Sequence, residues 1–277
     1  MNITRIAAFC DGDRGGNPAG VAISDKLPAE SEMRRIAAEV GFSETAFAAT
    51  TSSGWRVRYF SPETEVAFCG HATIALGALL ALQHGDGVFP LTLNQAAITV
   101  EGYRRGGLLS AALQSPPTHS RPASPDLVSE ALALFGFTKE LLDPRIPPAL
   151  IYGGVEHLVL ALKTREGLVA MRYDLATGRE MMHRERLTTI ALIFAENERL
   201  FHARNPFASG GVYEDPATGA AAAALAGYLR DIAWPHGGQI EVIQGEDMGM
   251  RSILRAEITS TPGASIRVSG TARIMKS

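Results

Sequence analysis

The chain has little cysteine: only Cys10 and Cys69 occur among its 277 residues. Two cysteines at this separation fit neither a metal-binding spacing nor a disulfide framework. Long apolar runs are also lacking, since none approaches the roughly 18 residues that a membrane-spanning helix needs. The apolar patch near the N-terminus is too short for a signal peptide. We therefore expect a cytoplasmic protein that does not associate with membranes.

The sequence also lacks a strong charge of either sign and the common cofactor motifs. Its formal net charge is -3, which gives no general electrostatic reason to bind nucleic acid. No GxGxxG follows a strand and no GxxxxGK[ST] occurs, so nucleotide binding is poorly supported. The seven histidines show no HExxH or paired-ligand spacing. We expect no nucleic-acid partner, no nucleotide cofactor and no metal site.

What is present is the pattern of a globular α/β protein. Hydrophobic residues make up 46% of the chain, as in ordinary soluble domains, and the length suggests about two of them. The first half alternates strand-like and helix-like segments. The predicted strands include ITRIAAF, GVAISD, ETAFAAT, WRVRYFS, LTLNQAAITVEGY and GLLSAALQS, and the predicted helices are PAESEMRRIAAEV, before Gly41, and ATIALGALLALQH, before Gly85.

A proline-rich segment predicts a domain boundary. Residues 116–125, PPTHSRPASP, contain four prolines and little to bury, as linkers between packed units do. We predict an N-terminal α/β half over residues 1–116 and a C-terminal α/β half over residues 117–277. The helix PDLVSEALALFGFTKE, ended by Gly136, opens the second half much as the first predicted helix stands in the first.

Two later segments echo each other. FCGHATIALGALLALQHG and EDPATGAAAAALAGYLR each open a helix of small and aliphatic residues with a glycine, Gly70 or Gly219, within three residues of a threonine. Helix N-termini carry unpaired N–H groups and partial positive charge, and a glycine there lets an anion approach the backbone. The two ends are expected to hold a carboxylate between them, although the glycines alone could equally serve tight turns.

Four motifs together are specific. GGNPAGVAI (15–23), GFSETAF (41–47), RYFSPETEVAFCGHAT (58–73) and EDPATGAAAAAL (214–225) resemble the PhzF family of phenazine-biosynthesis-type isomerases, relatives of diaminopimelate epimerase. The resemblance implies two pseudo-symmetric halves, each a mixed sheet wrapped around a central helix. The last strand, near residues 264–277, is expected to return to the first half. Family members are commonly homodimers that need no cofactor or metal.

The resemblance also implies site residues. Glu44 falls on the family's catalytic acid/base, and His71 and Asp215 fall on its polar active-site partners. Each of these residues taken singly has an ordinary structural explanation: a solvated loop charge for Glu44, a helix cap or core group for His71, and a turn residue for Asp215. Only the joint match of all three to the family pattern favours a catalytic role. The substrate-binding candidates in the same motifs are Asn17, Ser43, Cys69, Gly70, Thr218, Gly219 and Ala220.

The activity implied is a cofactor-independent isomerisation of a small carboxylate-bearing substrate, as in trans-2,3-dihydro-3-hydroxyanthranilate isomerase. One glutamate would take a proton from a ring carbon and return it elsewhere on the conjugated system, which suits a single acid/base group. This chain departs from the phenazine enzymes at Ala220, where they have serine, and this puts the substrate in question more than the fold.

Two alternatives remain. A racemase or epimerase of a small acid would need a base on each face, and related epimerases use two opposed cysteines. Here the counterpart of Cys69 is Thr218, which cannot form a thiolate, so Cys69 is expected to be a small buried filler. A non-catalytic small-molecule binding protein is the second alternative, and Ala220 is the one feature in its favour.

Overall fold

The computed structural model describes residues 1–275, with the side chain of Arg105 excepted. Lys276 and Ser277, at the end of the last predicted strand, lie outside the described residues. Six α-helices occur in this part of the chain: α1 Glu30–Val40, α2 Gly70–His84, α3 Pro125–Phe135, α4 Arg165–Val169, α5 Leu175–Arg184 and α6 Gly219–Asp231. Within residues 1–275, none of the helices is both long and apolar enough to span a membrane.

The strands run through the whole length of the described chain, and three short 3-10 helices accompany them. The strands are β1 Thr4–Cys10, β2 Asn17–Ser24, β3 Glu44–Thr51, β4 Gly54–Phe60, β5 Glu65–Val66, β6 Gly87–Thr92, β7 Ala97–Arg105, β8 Leu108–Gln114, β9 His119–Pro122, β10 Ala149–Tyr152, β11 Glu156–Leu162, β12 Thr189–Ala195, β13 Leu200–Phe207, β14 Val212–Asp215, β15 Gln239–Gln244, β16 Ser252–Glu257 and β17 Arg267–Ile274. The 3-10 helices are Lys139–Leu141, Ala208–Gly210 and Glu246–Met248.

The chain forms two compact units. The first unit consists of residues 1–114 together with the chain from Ser269 onward, and the second unit consists of residues 115–268.

In the first unit the strands form a closed ring. β1 pairs with β2, which pairs in parallel with β3, and the order continues through β4, β6, β7 and β8. β17 pairs with β8 and, in antiparallel register, with β1. Each strand of the ring therefore has two neighbours, which removes the exposed edges that an open sheet would have.

Helix α2 lies inside this ring. Its residues from His71 to Ala81 are all buried, because it packs against β1, β2, β3, β6, β7 and β8. Such a helix must be apolar on every side. Glycine permits the closest approach: a Cβ on Gly102 of β7 would lie 2.1 Å from the carbonyl oxygen of Gly77. The buried central helix predicted from ATIALGALLALQH is confirmed.

Helix α1 covers the outside of the ring. Its inward positions Met33, Ile36 and Ala37 are buried and belong to a small core with Phe47 and Phe60. These three positions follow the spacing of one helix face, while the opposite face carries exposed Arg–Glu pairs.

The second unit has a mixed sheet in the order β9, β10, β11, β12, β13, β15 and β16. Helix α6 packs on one side of it, against β9, β10, β11, β15 and β16. All its residues from Ala221 to Leu229 are buried. A Cβ on Gly153 would lie 2.7 Å from the carbonyl oxygen of Ala220, so the small residues of α6 allow the backbones to meet.

A second apolar layer in this unit joins α3, α4 and α5 to the sheet. Its buried members include Leu132, Leu160, Met181 and Leu192. The fold class is thus mixed α/β, as predicted, with a central helix and a sheet in each unit.

Two local expectations need correction. The proline-rich segment 116–125 is more than a connection, since His119–Pro122 forms β9 and pairs with β10. The segment LTLNQAAITVEGY, expected to be one strand, contains parts of two strands: β6 ends at Thr92, residues 93–96 form a turn, and β7 runs back antiparallel to β6. In both places pairing with a neighbouring strand decided the structure, and local composition did not show it.

Candidate active site

Two element boundaries position the first group of predicted site residues. Helix α1 is followed by its C-cap residue Gly41, whose backbone is left-handed with φ of 72°. Strand β3 begins three residues after Gly41, at Glu44. Cys69 precedes helix α2 as its N-cap residue and has extended backbone angles, φ -140° and ψ 115°. His71 therefore lies in the first turn of α2, and Glu44 is the first residue of a strand in the ring around that helix.

A chain of hydroxyl groups holds this first turn. The Thr73 hydroxyl donates to the carbonyl oxygen of Cys69 at 2.7 Å. The Tyr59 hydroxyl lies 2.7 Å from the same Thr73 oxygen, so Tyr59 donates and Thr73 accepts. Burial raises the pKa of Tyr59 above its ordinary value, and the phenol remains a donor at neutral pH. These two hydrogen bonds thus fix the backbone at Cys69.

His71 is the centre of the first group. Its Nε2 lies 3.4 Å from Oε2 of Glu44 and 3.4 Å from the hydroxyl oxygen of Ser43. Its Nδ1 lies 3.4 Å from the sulfur of Cys69. Glu44, Cys69 and His71 are 7%, 7% and 5% exposed. A carboxylate, an imidazole and a thiol are therefore held side by side with little water around them.

The N-terminus of α2 adds backbone donors. The first helical hydrogen bond runs from the Thr73 N–H to the Cys69 carbonyl, 3.0 Å. Helix geometry leaves the N–H groups of Gly70, His71 and Ala72 without acceptors within the helix, and the Cys69 side chain does not cap them. These donors and the partial positive charge of the helix end favour an anionic group at this place.

Asn17 lies on a neighbouring strand. It is the first residue of β2 and is 2% exposed. Ala19 pairs with Glu44 in the parallel register of β2 and β3. Because side chains alternate along a strand, Asn17 and Ala19 share one face, and this is the face on which Glu44 lies.

The second group of predicted residues belongs to the second unit. Asp215 ends β14, and Thr218 is the N-cap residue of α6. The Thr218 hydroxyl donates to Oδ2 of Asp215 at 2.5 Å. Gly219 and Ala220 form the first turn of α6, whose N-cap side chain makes no capping hydrogen bond. This helix end too presents free backbone N–H groups.

Gln244 forms hydrogen bonds to Asp215 and Thr218 of this second group, and the sequence analysis did not predict it as a site residue. Its amide nitrogen donates to the carbonyl oxygen of Asp215 at 2.6 Å and to the Thr218 hydroxyl at 2.9 Å. Its amide oxygen accepts from the Thr218 N–H at 3.1 Å and from Asn205 at 3.0 Å. Gln244 is 1% exposed. It fixes the approach to α6 through contacts 26 or more residues away in sequence, for which no local motif exists.

A buried ion pair anchors the strand that carries Asp215. Arg204 of β13 donates to both carboxylate oxygens of Glu214, at 3.0 Å and 2.6 Å. Arg204 and Glu214 are 6% and 4% exposed. The bidentate geometry neutralises Glu214 and fixes β14 in place, while the neighbouring Asp215 is bonded to Thr218.

The structure thus places Ser43, Glu44, Cys69, Gly70 and His71 together in the first unit, with Asn17 on the adjoining strand. In the second unit it places Asp215, Thr218, Gly219 and Ala220 together at the start of α6. Cys69 is buried, as expected, and its sulfur lies 3.4 Å from Nδ1 of His71. Chemically, the first group combines a buried carboxylate with an imidazole at hydrogen-bonding range, the arrangement that proton transfer requires.

The comparisons with known proteins identify the family. The family profile PhzC-PhzF, described as phenazine biosynthesis-like protein, matches residues 6–277. A trans-2,3-dihydro-3-hydroxyanthranilate isomerase of Pseudomonas aeruginosa is 31% identical over 284 residues, covering 96% of this chain and 94% of that protein. An uncharacterized isomerase of Mesorhizobium japonicum is 30% identical over 274 residues, covering 92% of this chain and 90% of that protein.

A solved structure agrees in fold. The PhzF-family phenazine biosynthesis protein of Bacillus anthracis superposes with a TM-score of 0.87 and 22% identity, covering 100% of this chain and 98% of that one. The resemblance inferred from the four motifs is therefore confirmed. The chain belongs to the PhzC-PhzF family of phenazine biosynthesis-like proteins, and it is an isomerase.

Proposed function

We propose that this isomerase moves a proton on a small, carboxylate-bearing, conjugated substrate without a cofactor, and that Glu44 is the group that carries the proton. The observation that supports this most is the buried pair of Glu44 and His71, with Oε2 and Nε2 3.4 Å apart. A relative 31% identical to this chain is named for the isomerisation of trans-2,3-dihydro-3-hydroxyanthranilate, a substrate of this chemical type.

In the proposed reaction Glu44 removes a proton from one carbon and returns it to another carbon of the conjugated system. The negative charge that develops on the substrate spreads towards its carboxylate. The free N–H groups at the start of α2 suit such a charge. His71 orients the Glu44 carboxylate through the contact of Nε2 with Oε2 at 3.4 Å. Every proton removed is restored, so the overall change is an isomerisation with no net oxidation or reduction.

Asp215 is proposed to be an active-site residue, as the family resemblance implies. Its carboxylate is oriented by Thr218 at 2.5 Å, and Thr218 is in turn held by Gln244. Ala220 lacks the hydroxyl that the phenazine enzymes have at this position. We propose that the missing hydroxyl shifts the preferred substrate away from dihydro-hydroxyanthranilate and leaves the proton carrier intact.

Glu44→Gln tests the role of Glu44. Incubation in heavy water with trans-2,3-dihydro-3-hydroxyanthranilate and related conjugated acids reports both turnover and deuterium uptake by NMR. The variant should lose about 10²-fold or more in rate, because it keeps the shape and loses the base, while its melting temperature should change little. Glu39→Gln is the matched control: Glu39 lies on the exposed face of α1 and pairs with Arg35 at the surface, so the rate of this variant should equal the wild-type rate.

The outcome separates the alternatives. A Glu44→Gln variant that keeps more than about a tenth of the wild-type rate would refute the role of Glu44. Exchange at a single stereocentre with inversion would favour an epimerase. Binding of such acids with no exchange in the wild type would favour a non-catalytic binding protein.

We also propose that the protein is a cytoplasmic homodimer, as the family resemblance implies. Cys10 and Cys69 are both free and buried, which suits a reducing compartment. Light scattering coupled to size-exclusion chromatography measures the mass directly, and a mass of one chain at micromolar concentration would contradict the dimer.

A further inference from the structure

The buried group Glu44, Cys69 and His71 offers three donor atoms of different chemistry. One carboxylate oxygen, one sulfur and one ring nitrogen all lie within 4.8 Å of one another. In the part of the chain that the structure describes, this is the one group of three or more such side chains close enough to share an ion. The proposed proton transfer uses the oxygen and the nitrogen and has no use for the sulfur.

The spacing of the donors approaches that of a tetrahedral zinc site. Zinc bonds of about 2.0–2.3 Å imply separations of about 3.4–3.6 Å between neighbouring ligand atoms. Nε2 of His71 lies 3.4 Å from Oε2 of Glu44 and 3.9 Å from the sulfur of Cys69. The third separation, between the Glu44 oxygen and the Cys69 sulfur, is at most 4.8 Å, so zinc binding requires these two side chains to approach by up to about 1.2 Å.

The chemistry of the donors selects the ion. A thiolate and an imidazole suit borderline-soft ions such as Zn²⁺, whereas Mg²⁺ and Ca²⁺ take oxygen ligands. Three protein ligands leave a fourth position for water. The thiolate and the carboxylate together neutralise the charge of the ion, so the burial of the site does not oppose its occupation.

We propose that Zn²⁺ binds Glu44, Cys69 and His71 and reversibly inhibits the enzyme. Binding forms one bond to each residue and releases the thiol proton of Cys69 to solvent, so that affinity rises with pH. The ion occupies the lone pairs of Glu44 that would accept the substrate proton. Inhibition therefore rests on the proposed role of Glu44, whereas the metal site itself does not.

Binding is measured without reference to turnover. Titration of the metal-free protein with zinc chloride in a calorimeter should give one saturable site, and magnesium chloride should give none. Cobalt(II) as a probe should give the visible bands of a tetrahedral ion and a sulfur-to-metal charge-transfer band. Cys69→Ser should weaken zinc binding by about 100-fold or more, since even the loss of an outer hydrogen-bond partner costs 10–100-fold.

Cys10→Ser is the matched control. Cys10 is the other buried cysteine of the first unit, and its sulfur lies near backbone carbonyl oxygens, 3.0 Å from that of Ala7. This variant should keep the wild-type zinc affinity, provided that its melting curve shows a folded protein. Zinc should also inhibit the wild-type enzyme, and a chelator should restore the full rate.

Three results would overturn the proposal: no saturable binding of zinc up to about 100 µM, equal affinity in Cys69→Ser and wild type, or turnover unaffected by saturating zinc. Failure of the proposed function is a separate result. If Glu44→Gln kept its rate while zinc bound through Cys69, the catalytic assignment would fall and the metal site would stand.

Discussion

Removal of the Glu214 carboxylate should strongly destabilise the second unit. Glu214→Leu leaves the Arg204 guanidinium, 6% exposed, without its bidentate partner and with the more distant Asp247 carboxylate, 3.8 Å from Nε, as its remaining ion pair. Breaking a buried pair in this way costs about 3–5 kcal/mol. For a unit that spans residues 115–268, each kcal/mol of lost stability lowers the melting temperature by about 2–4 °C. The expected drop in melting temperature is therefore about 6–20 °C.

The double variant makes this prediction specific. Replacing both partners, in Arg204→Met with Glu214→Leu, removes the stranded charge, and such replacements are often nearly neutral. Recovery will be incomplete because Arg204 also donates to the carbonyl oxygen of Val169 at 3.2 Å. The loss of unfolding free energy in the double variant should therefore be smaller, by at least about 2 kcal/mol, than the sum of the losses in the two single variants.

The assay is urea unfolding followed by circular dichroism for the wild type, both single variants and the double variant. Glu241→Leu is the control, since the pair of Glu241 with Arg255 is largely exposed and is worth about 0–1 kcal/mol. A Glu214→Leu loss below about 1 kcal/mol, or single losses that add within about 0.5 kcal/mol, would refute the reasoning.

Two further predictions concern pH and substrate choice. Burial lowers the pKa of His157 to about 3, whereas a histidine in an unfolded chain titrates near 6.5. Between these two pH values the unfolded state binds one more proton than the folded state. The free energy of unfolding should therefore fall as the pH is lowered from ~6.5 towards ~3, by up to about 1.4 kcal/mol per pH unit. NMR of the His157 ring should show no titration between pH 7 and 5, and a ring that titrates near 6.5 would contradict this. Ala220→Ser restores a hydroxyl at the start of α6 and should speed turnover of trans-2,3-dihydro-3-hydroxyanthranilate by about tenfold or more, since a hydrogen bond to a charged group is worth about 1.5–3 kcal/mol. Equal rates of wild type and variant under saturating and limiting substrate would show that Ala220 does not set substrate choice.

The fold class could be predicted because its strongest signals are local. Most residues of helix α2 are apolar and all those from His71 to Ala81 are buried, which is typical of a helix surrounded by other elements. Gly41 and Gly136 both end helices in the left-handed conformation, as their positions in the sequence indicated. The strand β9 escaped prediction because HSRP has no alternation and is defined only by its pairing with β10.

The candidate site was predicted unevenly. The four motifs named Glu44, His71 and Asp215, and their catalytic roles stay predictions until the variants are assayed. Gln244 and Asn205 were missed because a buried amide that bonds across 26 to 39 residues leaves no local pattern. The contact of Cys69 with His71 was also missed, since a cysteine is so often a small apolar residue of the core.

The ring of strands around α2 has a consequence for how the chain is synthesised. β1 leaves the ribosome first, but its partner β17 contains Thr271 and Ile274 and is made last. Until β17 has been synthesised the ring around helix α2 is incomplete, and apolar surface of the helix and strands stays exposed. A chain cut short after Val268 would contain nearly all the residues of the first unit and would still leave its ring open. Completion of that unit is thus tied to the residues of β17 from Ser269 to Ile274, which lie more than 150 residues after the other strands of the ring in the sequence.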